Sequence, residues 1–499
     1  MFWRDTNFLL GVPVDRLTIG EALGRIFALA QEFREDRQPR VVVSASVDVI
    51  YGALSPWRSA PRHPRLLSVM RNADLVLADC LPLIRLTRLF GPPLPARLKG
   101  ADLFPVLIRE AARRRQSLFL LGPDPASVKT VEAKLRACFP EVVIAGSAWA
   151  DPVDLGTTSP ATGQDYAICQ RINQSKADFL VVGFGTGHLK QERWLQRNLP
   201  LLRVPVTVAL GGIFQLYANS APPPPCWIGA CHLGWCHELL CQPSQFWKSR
   251  INDWFFLSLL SLPWLAMMAA VQLWNRHRLR TAAPPEPRQA VRELPSARGR
   301  FLTLQLPPRF DRAAVEAVAN RLIERLAGAS AILIDARELL QLDAAGIGFL
   351  ATLHGDCRRR AIAFFGFGLR QTPTRLLKAA RAWDLLADRF LPNLAAVAAR
   401  LREEWGTFCL AALGQPEPRG AAVLRIFGYF QEPWLEAVRE RLADAWNGNV
   451  RELDIDLLGC VEMDAAARAL LDQWRASFAA AGRQLRLVAV PPQAAPAAP

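Results

Sequence analysis

Short apolar runs alternate with longer stretches of helical period from Phe8 to about Val208. The runs are VVVSASVDVI at 41–50, ADLVLAD at 73–79, SLFLLG at 117–122, VVIAG at 142–146, DFLVVGFG at 178–185 and VPVTVALGG at 204–212. Largely apolar and rich in β-branched residues, they predict strands covered on both faces, and amphipathic stretches such as GADLFPVLIREAARRR at 100–115 predict the covering helices. The pattern predicts an α/β, Rossmann-like domain with a mostly parallel sheet. Ligands in such a fold lie beyond the carboxyl ends of the strands, near a topological switch point. Chemistry is therefore expected in the loops that follow the strands.

The pattern changes after residue 250. Residues 254–274, WFFLSLLSLPWLAMMAAVQLW, carry no charge over about the length of a bilayer-crossing helix. Lys248 and Arg250 precede the segment and Arg276, Arg278 and Arg280 follow it, so flanking charge sets no direction. Pro263 near its centre would kink a helix. A re-entrant or interfacial helix pair is the expectation here, with a transmembrane span, or a buried amphipathic hairpin or oligomer contact, as the alternatives. Residues 281–300 are rich in proline, alanine and charge and read as a linker.

Beyond them lies an internal repeat. FLTLQLPPRFDRAAVEAV and AILIDARELLQLDAAGIGFLATL are echoed by AVLRIFGYFQEPWLEAV and RELDIDLLGCVEMDAAARALLDQW, with Asp335 to Asp343 matching Asp456 to Asp464. Each copy predicts strand, helix, strand, short turn, helix and strand. The expected organisation is a domain over 1–250, a membrane-associating helical segment over 251–280, a linker over 281–300, a small α/β module over 301–400, a second linker over 401–420 and a second module over 421–492.

Composition narrows the function classes. The 499 residues are 51% hydrophobic and 21% charged, which excludes a disordered chain and leans apolar for a soluble one. A net charge of +15, carried mainly by arginine, favours anionic partners such as nucleotide phosphates, lipid pyrophosphates or an anionic membrane face. A nucleic-acid role explains the charge but has no reader motif and leaves the apolar segment without a purpose. Ten cysteines without a signal-peptide pattern predict reduced thiols in a protein that stays on the cytoplasmic side. Cys226, Cys231, Cys236 and Cys241 recur every five residues with His232 and His237 between them. On a helix, successive cysteines would be about 140° apart and could not face one ion together, so no metal site is expected there.

Several motifs in order resemble the WecB/TagA/CpsF family, glycosyltransferase family twenty-six, over nearly all of the first 250 residues. FLLGVPVDRLTIGEAL resembles its opening strand and helix, VVVSASVDVI its Thr-x-Asn segment, and ADLVLADCLPLI its Ala-Asp-x-x-x-x-Asp-Gly segment. ARLKGADLFPVL resembles Glu-Arg-Val-x-Gly-x-Asp-Leu, SLFLLGPDPASVKTVEAKL the glycine loop and following helix, and DFLVVGFGTGHLKQERW the segment Gly-x-Gly-x-Pro-Lys-Gln-Glu-x-Trp. The resemblance implies inverting transfer of a sugar from a UDP-sugar to a saccharide on a polyprenyl pyrophosphate at the inner membrane face, in surface polysaccharide or exopolysaccharide biosynthesis. It implies no cofactor and no obligatory metal.

An acceptor hydroxyl is a poor nucleophile, so a carboxylate beside the reacting carbon is needed as general base. By resemblance this is Asp79, with Ser44 where the family has threonine. The leaving UDP is anionic and calls for amides and cations. The candidates implied for the donor are Arg97, Asp102, Gly122, Gly183, Gly185, Lys190, Gln191 and Glu192.

The sequence departs from the family pattern at Ser46, Cys80, Ala96 and the GTGH turn before Lys190. In the C-terminal appendage, APPPPCW and GWCHELL stand for Arg-Ala-Pro and Glu-Trp-x-x-Arg elements. Trp235 fits, while Gly234 and Glu238 occupy the positions of an acid and an arginine. A second reading follows from these changes: a catalytically weakened scaffold that organises polysaccharide enzymes.

The repeated modules resemble STAS domains, whose signature is a strand ending in an Asp-Ser-x-Gly turn. The turns here are Asp343-Ala344-Ala345-Gly346 and Asp464-Ala465-Ala466-Ala467. Without the serine they predict docking or self-association modules rather than phosphorylation switches.

Overall fold

The computed structural model describes residues 4–45, 50, 64–79, 84, 87, 92–150, 163–184, 190–218, 291–296, 299–326, 328–405, 409–413, 421–432, 435–448 and 450–489. The appendage, the cysteine cluster at 226–241 and the apolar segment 254–274 lie outside them. The chain divides into two compact units, one of Arg4–Thr281 with Asp343–Phe349, the other of Ala282–Leu342 and Leu350–Pro499.

The first unit opens with a hairpin of β1 (Thr6–Leu9) and β2 (Val12–Asp15), where a single strand is expected from the sequence. Leu10 and Gly11 both have positive φ, 51° and 84°, which is the backbone of the tight turn that matches strand twist. Helix α1 (Ile19–Asp36) starts at a full capping box. The Glu21 amide donates to the Thr18 hydroxyl at 3.4 Å, and the Thr18 amide donates to the Glu21 carboxylate at 2.8 Å. Its Ala22, Ile26, Phe27, Leu29 and Ala30 recur at helical spacing and are buried in the core.

The remaining elements are β3 (Arg40–Ala45), α2 (Pro64–Arg71), β4 (Leu75–Ala78), α3 (Gly100–Arg113), β5 (Ser117–Gly122), α4 (Pro125–Cys138), β6 (Val143–Trp149), α5 (Gly163–Ser175), β7 (Phe179–Val182), α6 (Lys190–Asn198), β8 (Val206–Ala209) and α7 (Ile213–Ala218). Strands β3 to β8 form one parallel sheet in the order β4-β3-β8-β7-β5-β6. Except at the exposed edge strand β6, these strands are buried almost throughout. That burial explains their unbroken apolar runs, because helices cover both faces. Strand β5 leads to β6 on one side while β7 leads to β8 on the other, so the crevice between β5 and β7 is a topological switch point.

The second unit contains two sheets of like connectivity. The first has the order β15-β14-β12-β10-β9, with β9 (Val291–Ser296) antiparallel to β10 (Gly299–Gln305), and with β12 (Ala329–Asp335), β14 (Ala363–Phe367) and β15 (Phe390–Leu391) parallel. The two-residue strands β11 (Arg309–Phe310) and β13 (Gln341–Leu342) pair separately. Helices α8 (Arg312–Leu326), α9 (Ala344–Arg359), α10 (Gln371–Ala379), α11 (Trp383–Leu386) and α12 (Leu394–Trp405) intervene or follow.

The second sheet has the order β16-β17-β18-β19. Strand β16 (Cys409–Leu413) is antiparallel to β17 (Ala421–Phe430), and β18 (Glu452–Met463) and β19 (Gln484–Ala489) are parallel. Helices α13 (Leu435–Asn447) and α14 (Ala465–Ala480) make the crossovers. In each copy the aspartate singled out in the sequence caps a helix. Asp343 accepts from the Gly346 amide at 2.8 Å and Asp464 from the Ala467 amide at 2.7 Å.

The expected linkers are shorter in the structure. Within 281–300, Val291–Ser296 and the start of β10 form a hairpin, and within 401–420 the end of α12 and strand β16 are ordered elements. Part of the second expected linker is core: Cys409 and Ala411 of β16 are buried in the core of the second sheet. Val397, Ala398 and Leu401 of α12 cluster with Phe301, Phe365 and Phe367 of the first sheet and with Phe427 of the second. Helix α12 is thus part of the apolar layer joining the two repeats, which proline and charge on either side disguise in the sequence.

Candidate active site

All strands of the parallel sheet end on one edge, and that edge collects most of the sequence-predicted residues. Ser44 is buried near the end of β3 and Asp79 is half-buried one residue past the end of β4, its immediate neighbour. The Ser44 hydroxyl donates to Asp79 Oδ2 at 3.0 Å. The Asp79 amide donates to the Ala45 carbonyl at 3.3 Å, so the main chain fixes where the carboxyl sits.

The approach from the other side is cationic. Arg97 Nε donates to the Asp79 carbonyl, and Arg97 Nη2 lies 3.9 Å from Asp79 Oδ1. Lys99, which precedes α3, adds a nearby positive charge, and the start of the helix at Gly100 also favours the ionised form. Burial nevertheless pushes the Asp79 carboxyl above the usual aspartate range, against the lowering effects of Ser44, Arg97, the Gly100 amide and Lys99. A carboxylate with raised proton affinity at a strand's carboxyl end is suited to take a proton from a hydroxyl.

Gly122 ends β5 and Gly183 directly follows the end of the adjacent β7, on either side of the switch point. A Cβ on Gly122 would lie 2.4 Å from Val128 Cγ2 and 3.1 Å from Phe214 Cδ2. On Gly183 it would lie 2.8 Å from Ile213 Cγ2 and 2.9 Å from Phe214 Cδ2. Both glycines therefore admit the Phe214 ring of α7 over the strand ends, and the Gly183 amide is already spent on the Leu121 carbonyl at 3.0 Å. The family resemblance implies a donor role for these glycines, and nothing in it points to Phe214. The tight strand-to-helix turn was the legible half of the signal, but the ring that needs the space comes from a distant part of the chain.

The KQE segment opens α6. Gln191 is 3% exposed, and its Oε1 accepts from the Gly211 amide at 2.9 Å; its Nε2 donates to the buried Glu192 at 3.3 Å. Gln191 thereby holds the turn after β8, where Gly211 has φ +65°. Trp194 of the same motif is fully buried against Phe184, with ring centroids 6.0 Å apart. Asp102 is exposed in the first turn of α3, where its charge suits the helix N-terminus. Gly185 and the side chain of Lys190 lie outside the described residues. Among the described residues, no cluster of three or more His, Cys, Asp or Glu side chains is arranged to hold a metal ion, and no helix is long and apolar enough to cross a membrane.

The family described as "Glycosyl transferase WecG/TagA/CpsF family" matches residues 7–269. An N-acetylglucosaminyldiphosphoundecaprenol N-acetyl-beta-D-mannosaminyltransferase of Bacillus spizizenii is 23% identical over 242 residues, covering 48% of this chain and 86% of the relative. Proteins of the same name from Bacillus subtilis and Staphylococcus aureus are 25% identical over 185 residues and 22% identical over 240 residues. They cover 37% and 48% of this chain and 67% and 85% of the respective relatives.

Proposed function

The chain belongs to the WecG/TagA/CpsF family of glycosyltransferases and is an enzyme that transfers a sugar; from that premise we propose that its donor is a UDP-sugar, its acceptor a saccharide on a polyprenyl pyrophosphate, and Asp79 its general base. The acceptor class is that in the names of the relatives, which act on N-acetylglucosaminyldiphosphoundecaprenol. The observation that carries the assignment of the base is the Ser44–Asp79 hydrogen bond on the carboxyl edge of the sheet, flanked by Arg97 and the N-terminus of α3.

In this reading Asp79 removes the proton of the acceptor hydroxyl as that oxygen attacks the anomeric carbon, and UDP departs from the opposite face, inverting the centre. Ser44 holds the carboxylate's orientation. Arg97, Asp102, Gly185, Lys190, Gln191 and Glu192 serve the donor side, and Gly122 and Gly183 shape its floor beneath Phe214. The setting is surface or exopolysaccharide biosynthesis at the cytoplasmic face of the membrane, with residues 251–280 holding the enzyme at the lipid. The repeats over 301–400 and 421–492 act as STAS-like docking or self-association modules that bring the enzyme to its partners.

Purified protein incubated with a panel of UDP-sugars and lipid-pyrophosphate acceptors tests the reading. Turnover with at least one pair, lost in Asp79→Asn, supports it. No turnover with any pair and no UDP binding sinks the donor and acceptor assignment, and undiminished turnover in the variant removes Asp79 from its role.

A further inference from the structure

The β1–β2 hairpin holds both halves of the contact between Asp79 and Arg97. On one side it grips β4, the strand that delivers Asp79. Asp15 Oδ2 accepts from the Val76 amide at 2.6 Å, and Arg4, paired with Asp15 at 2.7 Å, donates from Nη1 to the Ala73 carbonyl at 2.7 Å. On the other side it grips the stretch of chain that delivers Arg97. Asn7 Nδ2 donates to the Pro92 carbonyl at 2.6 Å, and Arg16 donates to the Pro93 carbonyl from Nε at 3.2 Å and from Nη2 at 2.9 Å, while its Nη1 rests on Asp5 at 2.5 Å. The Leu98 amide then donates to the Ala78 carbonyl at 2.8 Å. Arg97 is thereby laid against Asp79, with Nε on its carbonyl and Nη2 at 3.9 Å from Oδ1.

We propose that Asn7 and Arg16 are positioning residues for Arg97: by tying the Pro92 and Pro93 carbonyls to the same hairpin that ties β4, they keep the Arg97 guanidinium in register with the Asp79 carboxyl. Only Leu94, Pro95 and Ala96 separate the clamped Pro93 from Arg97. Proline fixes φ, so a shift at the clamp passes along a short and stiff stretch. Packing alone does not account for Asn7. The residue is fully buried, and its Oδ1 has no hydrogen-bond partner among the described residues. A buried amide with one oxygen unpaired is costly where an apolar side chain could fill the space; the bond to Pro92 is what an apolar residue could not supply.

The Asp79 carboxyl is faced by Ser44 from β3, by Arg97 and Lys99 from the chain before α3, and by the start of α3 at Gly100. Its titration therefore reports whether Arg97 stays in place. The effect on turnover rests on the reading of Asp79 as base, whereas the effect on titration does not. The full-length protein is labelled with carboxyl-13C aspartate, and Asp79→Asn identifies the Asp79 resonance. The midpoint is followed in wild type, Asn7→Ala, Arg16→Lys, Arg97→Ala and the Asn7→Ala/Arg97→Ala double variant, with the pH profile of kcat/KM measured alongside. Arg97→Ala is expected to raise the midpoint by about one pH unit, the loss of one opposite charge at close range. Asn7→Ala is expected to raise it by part of that. Arg16→Lys keeps the charge but not the fork that spans Asp5 and Pro93, and is expected to raise it by a smaller part. In the Arg97→Ala background Asn7→Ala is expected to add nothing, because the cation it positions is gone. The acid limb of kcat/KM should follow the midpoints. Arg16→Lys gives the answer if Asn7→Ala does not fold. Unchanged midpoints in the hairpin variants that fold, or an Asn7→Ala shift that persists without Arg97, overturn the inference. Midpoints that move as expected while the kcat/KM profile stays fixed uphold the role of the hairpin and remove Asp79 as the base.

Discussion

Asp79→Asn separates the chemistry of the site from its stability. The amide has the carboxyl's shape and still offers an oxygen to the Ser44 hydroxyl, which lies 3.0 Å from Oδ2. What it loses is the capacity to take a proton. A positioned general base contributes roughly a hundred- to ten-thousand-fold, or about 2.7 to 5.4 kcal/mol of barrier at about 1.36 kcal/mol per decade, and kcat should fall by that factor. Stability should move the other way. Burial holds the folded-state pKa of Asp79 above its unfolded value, so the stability it contributes is complete below the unfolded aspartate range and is lost as pH rises through the folded pKa. At neutral pH the ionised carboxylate is thus a burden on the fold, and asparagine removes it. The variant should show a Tm at pH 7 no lower than wild type, with any advantage vanishing below about pH 4, where both states of the wild-type carboxyl are protonated. Radiolabelled sugar transfer and thermal denaturation across pH measure the two effects. Turnover within tenfold of wild type would exclude Asp79 as the base, and a Tm at pH 7 several degrees lower would show that the ionised carboxylate does not burden the fold.

Further consequences follow from individual contacts. Ser44→Ala removes a hydrogen bond that favours the ionised Asp79, so the acid limb of kcat/KM should move to higher pH with little loss at its plateau; a pH profile that superimposes on wild type would show that the hydroxyl does not tune the base. Gly183→Ala places a methyl within 3 Å of Ile213 and Phe214 and should cost about 1 to 3 kcal/mol in urea unfolding through overpacking, whereas lost UDP affinity at full stability would assign the glycine to the donor instead. Leu401→Ala opens a hole at the 2%-exposed centre of the layer joining the two repeats and should cost about 2 to 5 kcal/mol. Protection from hydrogen exchange should then fall in both sheets of the second unit together; loss confined to one sheet would mean that the repeats are independently stable.

Much of the first unit was legible because its strands are buried on both faces, and their apolar runs leave little ambiguity about where helices must interrupt them. The six-stranded parallel sheet follows from that pattern, and so does the placement of Asp79, which ends its run at 73–79; Ser44 stands fourth in its run at 41–50 and reaches the same edge because the strand stops at Ala45. The β1–β2 hairpin was harder to see because its turn is Leu10-Gly11, and leucine carries no signal for positive φ. The repeats were legible for a different reason: an aspartate that caps a helix is a local requirement, met within three residues in both copies. What joins the repeats depends on Leu401 meeting Phe301 and Phe427, and no local periodicity records a meeting across such distances in the chain.

The same contrast explains the glycines. A glycine after a strand has three common reasons to be there: a positive φ, a close ligand, or a close piece of its own chain. Gly211 has the first, while Gly100, Gly122 and Gly183 have the third. The sequence shows only the residue type, and choosing among the reasons requires the position of Leu210 and Phe214. Phe214, a fully buried ring, fills the space beside the β5 and β7 ends that these two glycines leave open. The acidic and basic groups of the candidate site gather instead around the ends of β3 and β4, where Ser44, Asp79 and Arg97 meet.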